Sequence, residues 1–202
     1  MKKIISVALA LLFVFCCAIA EDAPETRVSV IEGEGIREEI VETLYTSEYG
    51  YNLWYPAELL APVDMKAVGE KDGAVYMFDV FVPAWYLEVE EEVPANELIY
   101  MMIVPTDVPV EYADDFLLEA TGGFDPSVAV IGEARELETN TDTVIKTIDV
   151  EENGVVFRYY LVMNAERMLC ITTTFPADAL EGYAIHIERL VASINFAEIT
   201  AK

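Results

Sequence analysis

The sequence predicts an α+β fold: a mostly antiparallel sheet with a C-terminal amphipathic helix covering it. Apolar, β-branched runs bounded by turn residues recur along the chain, a pattern typical of strands. Asn153-Gly154 joins two of these runs, and Asn-Gly is the strongest short hairpin signal because both positions of the tight turn need positive φ. Apolar residues at intervals of three and four over 180–194 predict an amphipathic helix. Strands followed by a packing helix indicate this fold class.

The first twenty residues predict a secretory signal peptide. Lys2 and Lys3 precede an apolar run, and small residues at Ala18 and Ala20 fit a cleavage site after Ala20. A retained membrane anchor is the alternative, but the run is shorter than the roughly 20 apolar residues that span a bilayer. We therefore expect no stable membrane span after cleavage, and a secreted or extracytoplasmic, cell-surface location.

A lipoprotein signal is a further alternative, because Cys16 and Cys17 lie near the end of the apolar run. Phe15 precedes them where a lipid-attachment signal has a small residue. Simple secretion is favoured for that reason. It leaves Cys170 as the one thiol of the mature chain, so no intramolecular disulfide is expected.

Residues 21–38 are predicted to form a polar leader, with a possible short strand at 27–31. Residues 39–202 are predicted to form a single domain. The domain opens with two strand-like segments, 39–46 and 49–55, rich in β-branched and aromatic residues. A short connection between them predicts an antiparallel hairpin.

The next segments predict two strands separated by an exposed connection. Residues 74–82 are apolar on both alternating faces, which predicts a central strand covered on both sides. Residues 97–104 predict another strand. The intervening segment 83–94 is bounded by prolines and ends in a run of acids, so we expect an exposed loop or edge segment.

The C-terminal half predicts a helix, a three-stranded meander and a second helix. Apolar spacing over 109–120 predicts the first helix, which Gly122 and Gly123 end. Segments 143–151, 155–163 and 168–175 form the meander around the Asn-Gly turn. The amphipathic helix over 180–194 should cover one face of the sheet.

Three stretches of the chain resemble PsbP-like domains: residues 45–56, the hairpin through Asn153-Gly154, and residues 169–196. The phrase EYGYNLWYP at 48–56 resembles the Gly-Tyr and Tyr-Pro opening of that group. ITTTFP at 171–176, the following amphipathic helix and SINF at 193–196 are similar to its closing strand, helix and Ser-hydrophobic-x-Phe end. The superfamily includes an extrinsic photosystem II protein, a nuclear-import factor that binds the Ran GTPase and many secreted bacterial proteins.

This resemblance implies an α/β/α sandwich around a mostly antiparallel sheet. It also implies a non-enzymatic binding or scaffolding role, an inference from fold-level similarity. No functional residue of the group transfers to a position of this sequence, and no metal or docking motif of the photosystem protein is matched.

Charge and composition narrow the class of partner. The chain has 202 residues with 37 acidic and 12 basic side chains, a formal net charge of −25, and 54% hydrophobic residues. The apolar content excludes a disordered acidic tail. The charge balance disfavours direct nucleic-acid binding as well, because phosphate backbones attract basic stripes and this sequence has none.

Common catalytic constellations are absent from the sequence. His186 is the one histidine, and a lone helical histidine is typical of a boundary residue rather than a zinc ligand or base. Cys170 lies in a strand-like segment with no activating base nearby in sequence, which indicates an inert buried thiol. There is no Gly-x-Ser-x-Gly elbow, phosphate-binding loop or dinucleotide fingerprint. We predict no enzyme activity, no cofactor and no metal site.

The aromatic and acidic residues of segment 83–94 form the predicted binding surface. Loops carry function more often than covered strands, and exposed rings followed by carboxylates can contact a ligand or partner. The predicted surface comprises Trp85, Tyr86, Glu88, Glu90, Glu91 and Glu92. An acidic run of this kind is more often a solvated edge that prevents strand-to-strand association. Aromatic pairs of this kind more often fill the core or lie beneath a helix.

Two functions of different classes remain. The first is a secreted or cell-surface binding or accessory module, whose partner is an unidentified protein or small ligand. The second is an extracellular, glycosidase-like hydrolase that uses two carboxylates. The second requires a cleft holding two acids roughly 5 to 10 Å apart.

Overall fold

The structure is a computed structural model that describes residues 24–33, 36–88, 93–94, 97–139 and 141–197. The predicted signal peptide lies outside these residues. The strands are β1 (Thr26–Gly33), β2 (Ile36–Ser47), β3 (Tyr51–Tyr55), β4 (Leu60–Pro62), β5 (Asp79–Pro83), β6 (Tyr100–Thr106), β7 (Val130–Ile131), β8 (Arg135–Leu137), β9 (Val144–Glu152), β10 (Val155–Met163), β11 (Met168–Pro176) and β12 (Asn195–Phe196). The helices are α1 (Met65–Asp72), α2 (Ala113–Thr121) and α3 (Leu180–Ala192), with 3-10 helices at Ala84–Leu87 and Val110–Tyr112.

The described strands form two sheets, whereas the sequence predicted one. The smaller sheet has the order β1-β2-β3-β12, and the larger has the order β4-β5-β6-β11-β10-β9-β7, with β8 also paired to β9. Every pairing between these strands is antiparallel. The α+β class with mostly antiparallel pairing is therefore confirmed.

Local turn chemistry explains the hairpins that were predicted correctly. Asn153 and Gly154 have φ values of 53° and 78°, and they connect β9 to β10. Asparagine and glycine tolerate this left-handed conformation, which the tight turn requires. The earlier hairpin is formed by β2 and β3, with Ser47 opposite Tyr51.

The predicted strand over 74–82 is wrong in its first half. Residues 74–77 have no regular structure, and β5 begins only at Asp79. Val75 is 89% exposed and Met77 is 66% exposed, so their apolar character does not reflect burial. The strand lies between β4 and β6, one position from the edge of its sheet.

Helix α1 was not predicted, although its ends carry recognisable caps. The Asp64 side chain accepts hydrogen bonds from the backbone N–H groups of Lys66 and Ala67. Gly73 ends the helix in the left-handed conformation, with φ 68°. An acidic N-cap and a C-terminal glycine are typical helix boundaries. The helix is mostly polar, so it lacks the apolar stripe that marks a helix in sequence.

The main core draws side chains from both sheets and from α3. Tyr51 and Leu53 come from the smaller sheet, and Phe81 and Ile171 from the larger one. Helix α3 adds its own apolar stripe to this cluster, comprising Ile187, Leu190 and Val191. A separate small cluster packs α2 against β9, β10 and β11.

The predicted first helix starts later than expected. Residues Val110–Tyr112 form a 3-10 turn, and α2 itself begins at Ala113.

Among the described residues, no helix has both the length and the apolar character needed to cross a membrane.

Candidate functional site

The predicted aromatic pair lies on a 3-10 helix rather than in a strand or loop. The helix directly follows β5 and spans Ala84–Leu87. Trp85 is 49% exposed, and Tyr86 is partly buried against the main core. The two rings are perpendicular, with centroids 4.4 Å apart. One ring therefore faces solvent while its neighbour anchors the segment.

Tyr86 holds this segment to the start of β6. Its hydroxyl accepts a hydrogen bond from the backbone N–H of Ile99 at 3.0 Å and donates one to the carbonyl of Glu97 at 3.1 Å. Burial raises the pKa of the Tyr86 hydroxyl above its ordinary value, so the group stays protonated near neutral pH. The anchor fixes the backbone from which Trp85 projects.

The structure places part of the predicted acidic run beside Trp85. Glu88 ends the 3-10 helix and is exposed. Leu87 precedes it and is 60% exposed, an apolar neighbour that sequence analysis did not single out. Glu90, Glu91 and Glu92 lie outside the described residues. The contact surface that can be described, here named the Trp85 segment, consists of Trp85, Leu87 and Glu88.

A second polar feature was missed by sequence analysis: the buried carboxylate of Asp79, which three hydroxyl groups surround. Tyr45 donates to one carboxylate oxygen at 2.7 Å, and Ser47 donates to the other at 2.5 Å. Tyr51 also donates to that second oxygen. Asp79 lies at the start of β5, while the three donors lie on the β2–β3 hairpin. The cluster therefore joins the two sheets.

The tyrosines of this cluster are held in the neutral form. Burial and then interactions with Asp79 raise the pKa of Tyr45 far above its ordinary value. Burial and then the negative charge of Asp79 do the same for Tyr51. Neutral hydroxyls can donate to the carboxylate, whereas phenolates would repel it.

Next to this cluster is an open cavity of about 350 Å³, bounded by the β2–β3 turn, the start of α1 and the segment before β5. Four aromatic side chains line it, and charged groups stand among them. The aromatic residues are Tyr45, Tyr49, Tyr76 and Phe78, and the charged residues are Glu48, Asp64, Lys66 and Asp79.

Each carboxylate of the cavity already has hydrogen-bond donors. Glu48 accepts from the Lys66 ammonium at 2.8 Å. Asp64 caps α1, and Asp79 accepts the three hydroxyls. None of these carboxylates is a free acid or base poised towards the cavity, which disfavours two-carboxylate hydrolysis at this place.

A charged network links β8, β9, β10 and α3. The buried Arg158 guanidinium contacts Asp149 through two nitrogens, at 2.6 and 2.8 Å, and Glu188 at 2.7 Å. Arg135 contacts Glu188 from outside at 3.1 Å. This geometry is a two-point carboxylate clamp. It ties β8, β9, β10 and α3 together through paired charges.

The one histidine and the one described cysteine stand apart from these features. His186 lies within α3 and is partly buried, and burial lowers its pKa. Cys170 lies on β11, where burial raises the pKa of its thiol to about 11. Within the part of the chain that the structure describes, no three His, Cys, Asp or Glu side chains are grouped to hold a metal ion.

Comparison with known proteins gives a similarity of fold. No family model and no curated protein sequence matches the chain. The solution structure of cyanobacterial PsbP (CyanoP) from Synechocystis sp. PCC 6803 is similar with a TM-score of 0.48 and 13% identity, covering 83% of this chain and 98% of that chain. It is a protein of the group that the sequence motifs resemble. At this identity the likeness concerns the fold alone.

The sequence indicates the hydroxyl donors of the Asp79 cluster but not their acceptor. Tyr45 and Ser47 alternate along β2 and share one face, and Ser47 stands opposite Tyr51 in the hairpin. A line of hydroxyls on one strand face could therefore have been noticed. Their acceptor, however, lies 28 or more positions away in sequence, and no spacing rule connects it to them.

Proposed function

We propose that this protein is a non-catalytic binding or accessory module that is exported and acts at the cell surface. The observation that carries the proposal is the Trp85 segment, where a half-exposed indole projects from a 3-10 helix that Tyr86 anchors. An aromatic ring on a fixed backbone loses little conformational freedom when it is covered by a partner. Tryptophan is also enriched among residues that dominate interface energies.

The proposed partner is a protein surface that carries basic side chains around an apolar pocket. The chain has a formal net charge of −25, so its field attracts cationic surfaces. Glu88 places a carboxylate next to the exposed Trp85 and Leu87 side chains. A carboxylate at the edge of exposed apolar side chains is consistent with the usual interface pattern of a dry centre and a polar rim.

In this proposal the α/β/α layering implied by the sequence resemblance supplies a rigid scaffold, with α3 covering the sheet. Support comes from Ile187 and Leu190 of α3, which are fully buried in the main core together with side chains of both sheets. Export is supported by the charged, apolar and small-residue pattern of positions 1–20. Nothing in the described residues favours the hydrolase alternative.

The proposal can be tested by cross-linking the purified protein to extracellular proteins of its source and identifying what is captured. Wild-type protein is compared with Trp85→Ala and Leu87→Ala. Leu118→Ala is the matched control, because Leu118 lies on α2 and is 61% exposed, against 60% for Leu87.

We expect wild-type protein and Leu118→Ala to capture the same basic protein, and both variants of the Trp85 segment to lose it. Raising the salt concentration should weaken capture, because exposed charges are screened. Equal capture by all four proteins would contradict the proposal. Capture that Leu118→Ala also loses would contradict it too, because it would indicate non-specific apolar adhesion.

A further inference from the structure

Asp79 is a buried negative charge for which the described residues supply no cation. It is 9% exposed, and no ion pair in the described part of the chain includes it. Three hydroxyl groups donate to it, which stabilises the carboxylate but leaves its charge uncompensated. Buried charges are ordinarily paired, since removing an ion from water is costly.

This charge borders the open cavity described above. The cavity lining carries three carboxylates, Glu48, Asp64 and Asp79, against the single ammonium of Lys66. A concave site lined mainly by one sign of charge focuses the field and concentrates ions of the opposite sign. The electrostatics of the cavity therefore favour a cation.

The walls of the cavity indicate which kind of cation fits. Tyr45, Tyr49, Tyr76 and Phe78 all line it, and the Tyr76 and Phe78 rings are tilted with centroids 5.4 Å apart. Aromatic faces attract ammonium groups and pack against the methyl groups of methylated ones. A bare metal ion would need several free oxygen ligands, whereas both oxygens of Asp79 already accept hydroxyl donors.

We propose that this cavity binds a small organic ammonium compound. Asp79 supplies the uncompensated charge that attracts the ligand, and the tyrosine and phenylalanine rings contact its methyl or methylene groups. The volume of about 350 Å³ lies within the range of small-molecule sites. The cavity shares no residue with the Trp85 segment, so this inference stands independently of the proposed function.

Lys66 is an internal competitor for the site. Its ammonium group lies 2.8 Å from Glu48, on the cavity lining. The positive charge of Lys66 opposes the entry of a second cation. Lys66→Met removes that charge and keeps an apolar side chain of similar length, so this variant should bind the ligand more tightly than wild-type protein.

The probe is choline, followed by the backbone amide NMR signals of the purified protein. Its uncharged carbon analogue, dimethylbutanol, has the same shape without the charge, and potassium chloride at equal ionic strength controls for screening. We expect choline to shift the signals of Tyr49, Tyr76 and Asp79 with saturation in the millimolar range, about 4 kcal/mol of binding free energy. Neither control should saturate these shifts.

Two variants test separately whether the charge of Asp79 and the aromatic ring of Tyr76 contribute to choline binding. Asp79→Asn removes the charge at nearly constant shape and should weaken choline binding by about tenfold or more. Because Asp79 also joins the sheets, Tyr76→Leu is a second variant. The Tyr76 hydroxyl donates to the exposed carboxylate of Asp72, so we expect the folded protein to tolerate its loss. It should weaken binding about threefold. Tyr112→Leu is its control, as Tyr112 is 53% exposed on another element.

Three outcomes would overturn the inference. One is choline binding that dimethylbutanol matches, which would show an apolar pocket without charge selectivity. Another is unchanged affinity in folded Tyr76→Leu and Lys66→Met, which would place the bound choline elsewhere. The third is the absence of any saturable shift at molar choline. None of these outcomes bears on capture by the Trp85 segment.

Discussion

The Tyr45 hydroxyl lies 2.7 Å from a carboxylate oxygen of Asp79, and this bond crosses from the four-stranded sheet to the eight-stranded sheet. Ser47 and Tyr51 donate to the other oxygen from the same hairpin. A buried carboxylate loses its hydration on folding, and these donors replace the lost water. The junction of the two sheets therefore depends on side-chain hydrogen bonds as well as on apolar packing.

Removing one donor of this cluster should destabilise the protein more than removing a surface hydroxyl. Tyr51→Phe keeps the fully buried ring and deletes the hydroxyl, so we expect a loss of about 2 kcal/mol, typical of a hydrogen bond to a buried charge. Urea unfolding measures the difference. Tyr76→Phe is the control, because that hydroxyl bonds the exposed Asp72, and it should change stability by less than about 0.5 kcal/mol. Equal losses in both variants would contradict the burial argument.

The Arg158 clamp provides a second comparison within the chain. Arg158→Ala leaves Asp149 and Glu188 without their central cation, and we expect a loss of about 3 kcal/mol in the free energy of unfolding. Arg135→Ala removes the outer cation, whose side chain is 43% exposed, and should cost less than about 1 kcal/mol. If the outer arginine proved the more costly, the network would be organised differently from the structure.

The stability of the protein should depend on His186 at mildly acidic pH. Burial lowers the pKa of His186 in the folded state, so the unfolded chain takes up a proton at higher pH than the native one. The stability that neutral His186 contributes is fully present above its ordinary pKa, near 6.5, and is lost as the pH falls from that value through the lower pKa of the folded state. His186→Gln should therefore lose less stability than wild-type protein between pH 7 and pH 5.

Thermal midpoints of the two proteins across that pH range measure this effect. Glu38 and Glu42 face His186 and favour its charged form, whereas burial and Arg189 oppose it. A wild-type protein that loses no more stability than His186→Gln would show that the carboxylates prevail. The variant removes only the histidine, so the difference between the two proteins reports the contribution of His186.

The Cys170 thiol should react slowly while the protein is folded. Burial raises its pKa to about 11, so its thiolate fraction near pH 8 is at least about tenfold below that of an exposed cysteine. Alkylation followed by mass spectrometry gives the rate. We expect that rate to rise steeply in urea, where the thiol becomes exposed, and labelling of the native protein at the rate of free cysteine would contradict this account.

Local chemistry made much of the fold predictable. The Asn153-Gly154 turn requires positive φ at both positions. These two residues alone therefore predict the β9–β10 hairpin, without any knowledge of tertiary contacts. Helix α3 was predictable because its apolar stripe repeats with the helical period. In both places a short stretch of sequence contains the whole physical cause.

Features that depend on distant partners were not predictable. The division into two sheets is decided by which strands pair, as when β12 joins β3 through Asn195 and Asn52. Residues 74–77 looked like a strand because they are apolar, yet Val75 and Met77 are exposed. Asp79 was predicted to lie in an apolar strand, and its hydroxyl donors lie in a hairpin that precedes it by many residues in sequence.

The predicted binding segment around Trp85 contains a feature that the sequence indicates and a feature that depends on a distant partner. The structure places the Trp85 ring outside and the Tyr86 ring partly inside, on a 3-10 helix, where the sequence predicted an exposed loop or edge segment. The anchoring of Tyr86 by Ile99 was invisible in the sequence, because the hydrogen bond spans a proline-bounded segment. Whether these residues bind a partner stays a prediction.

The most direct test of the proposed function is the dissociation constant of the captured basic partner for wild-type protein and for Trp85→Ala, with thermal midpoints recorded on the same samples. We expect Trp85→Ala to weaken binding at least about 30-fold, as loss of an interface-dominating residue does, while the thermal midpoint stays within about 2 °C of wild type. Unchanged binding would contradict it. So would a large fall in the midpoint, because Trp85 would then belong to the core.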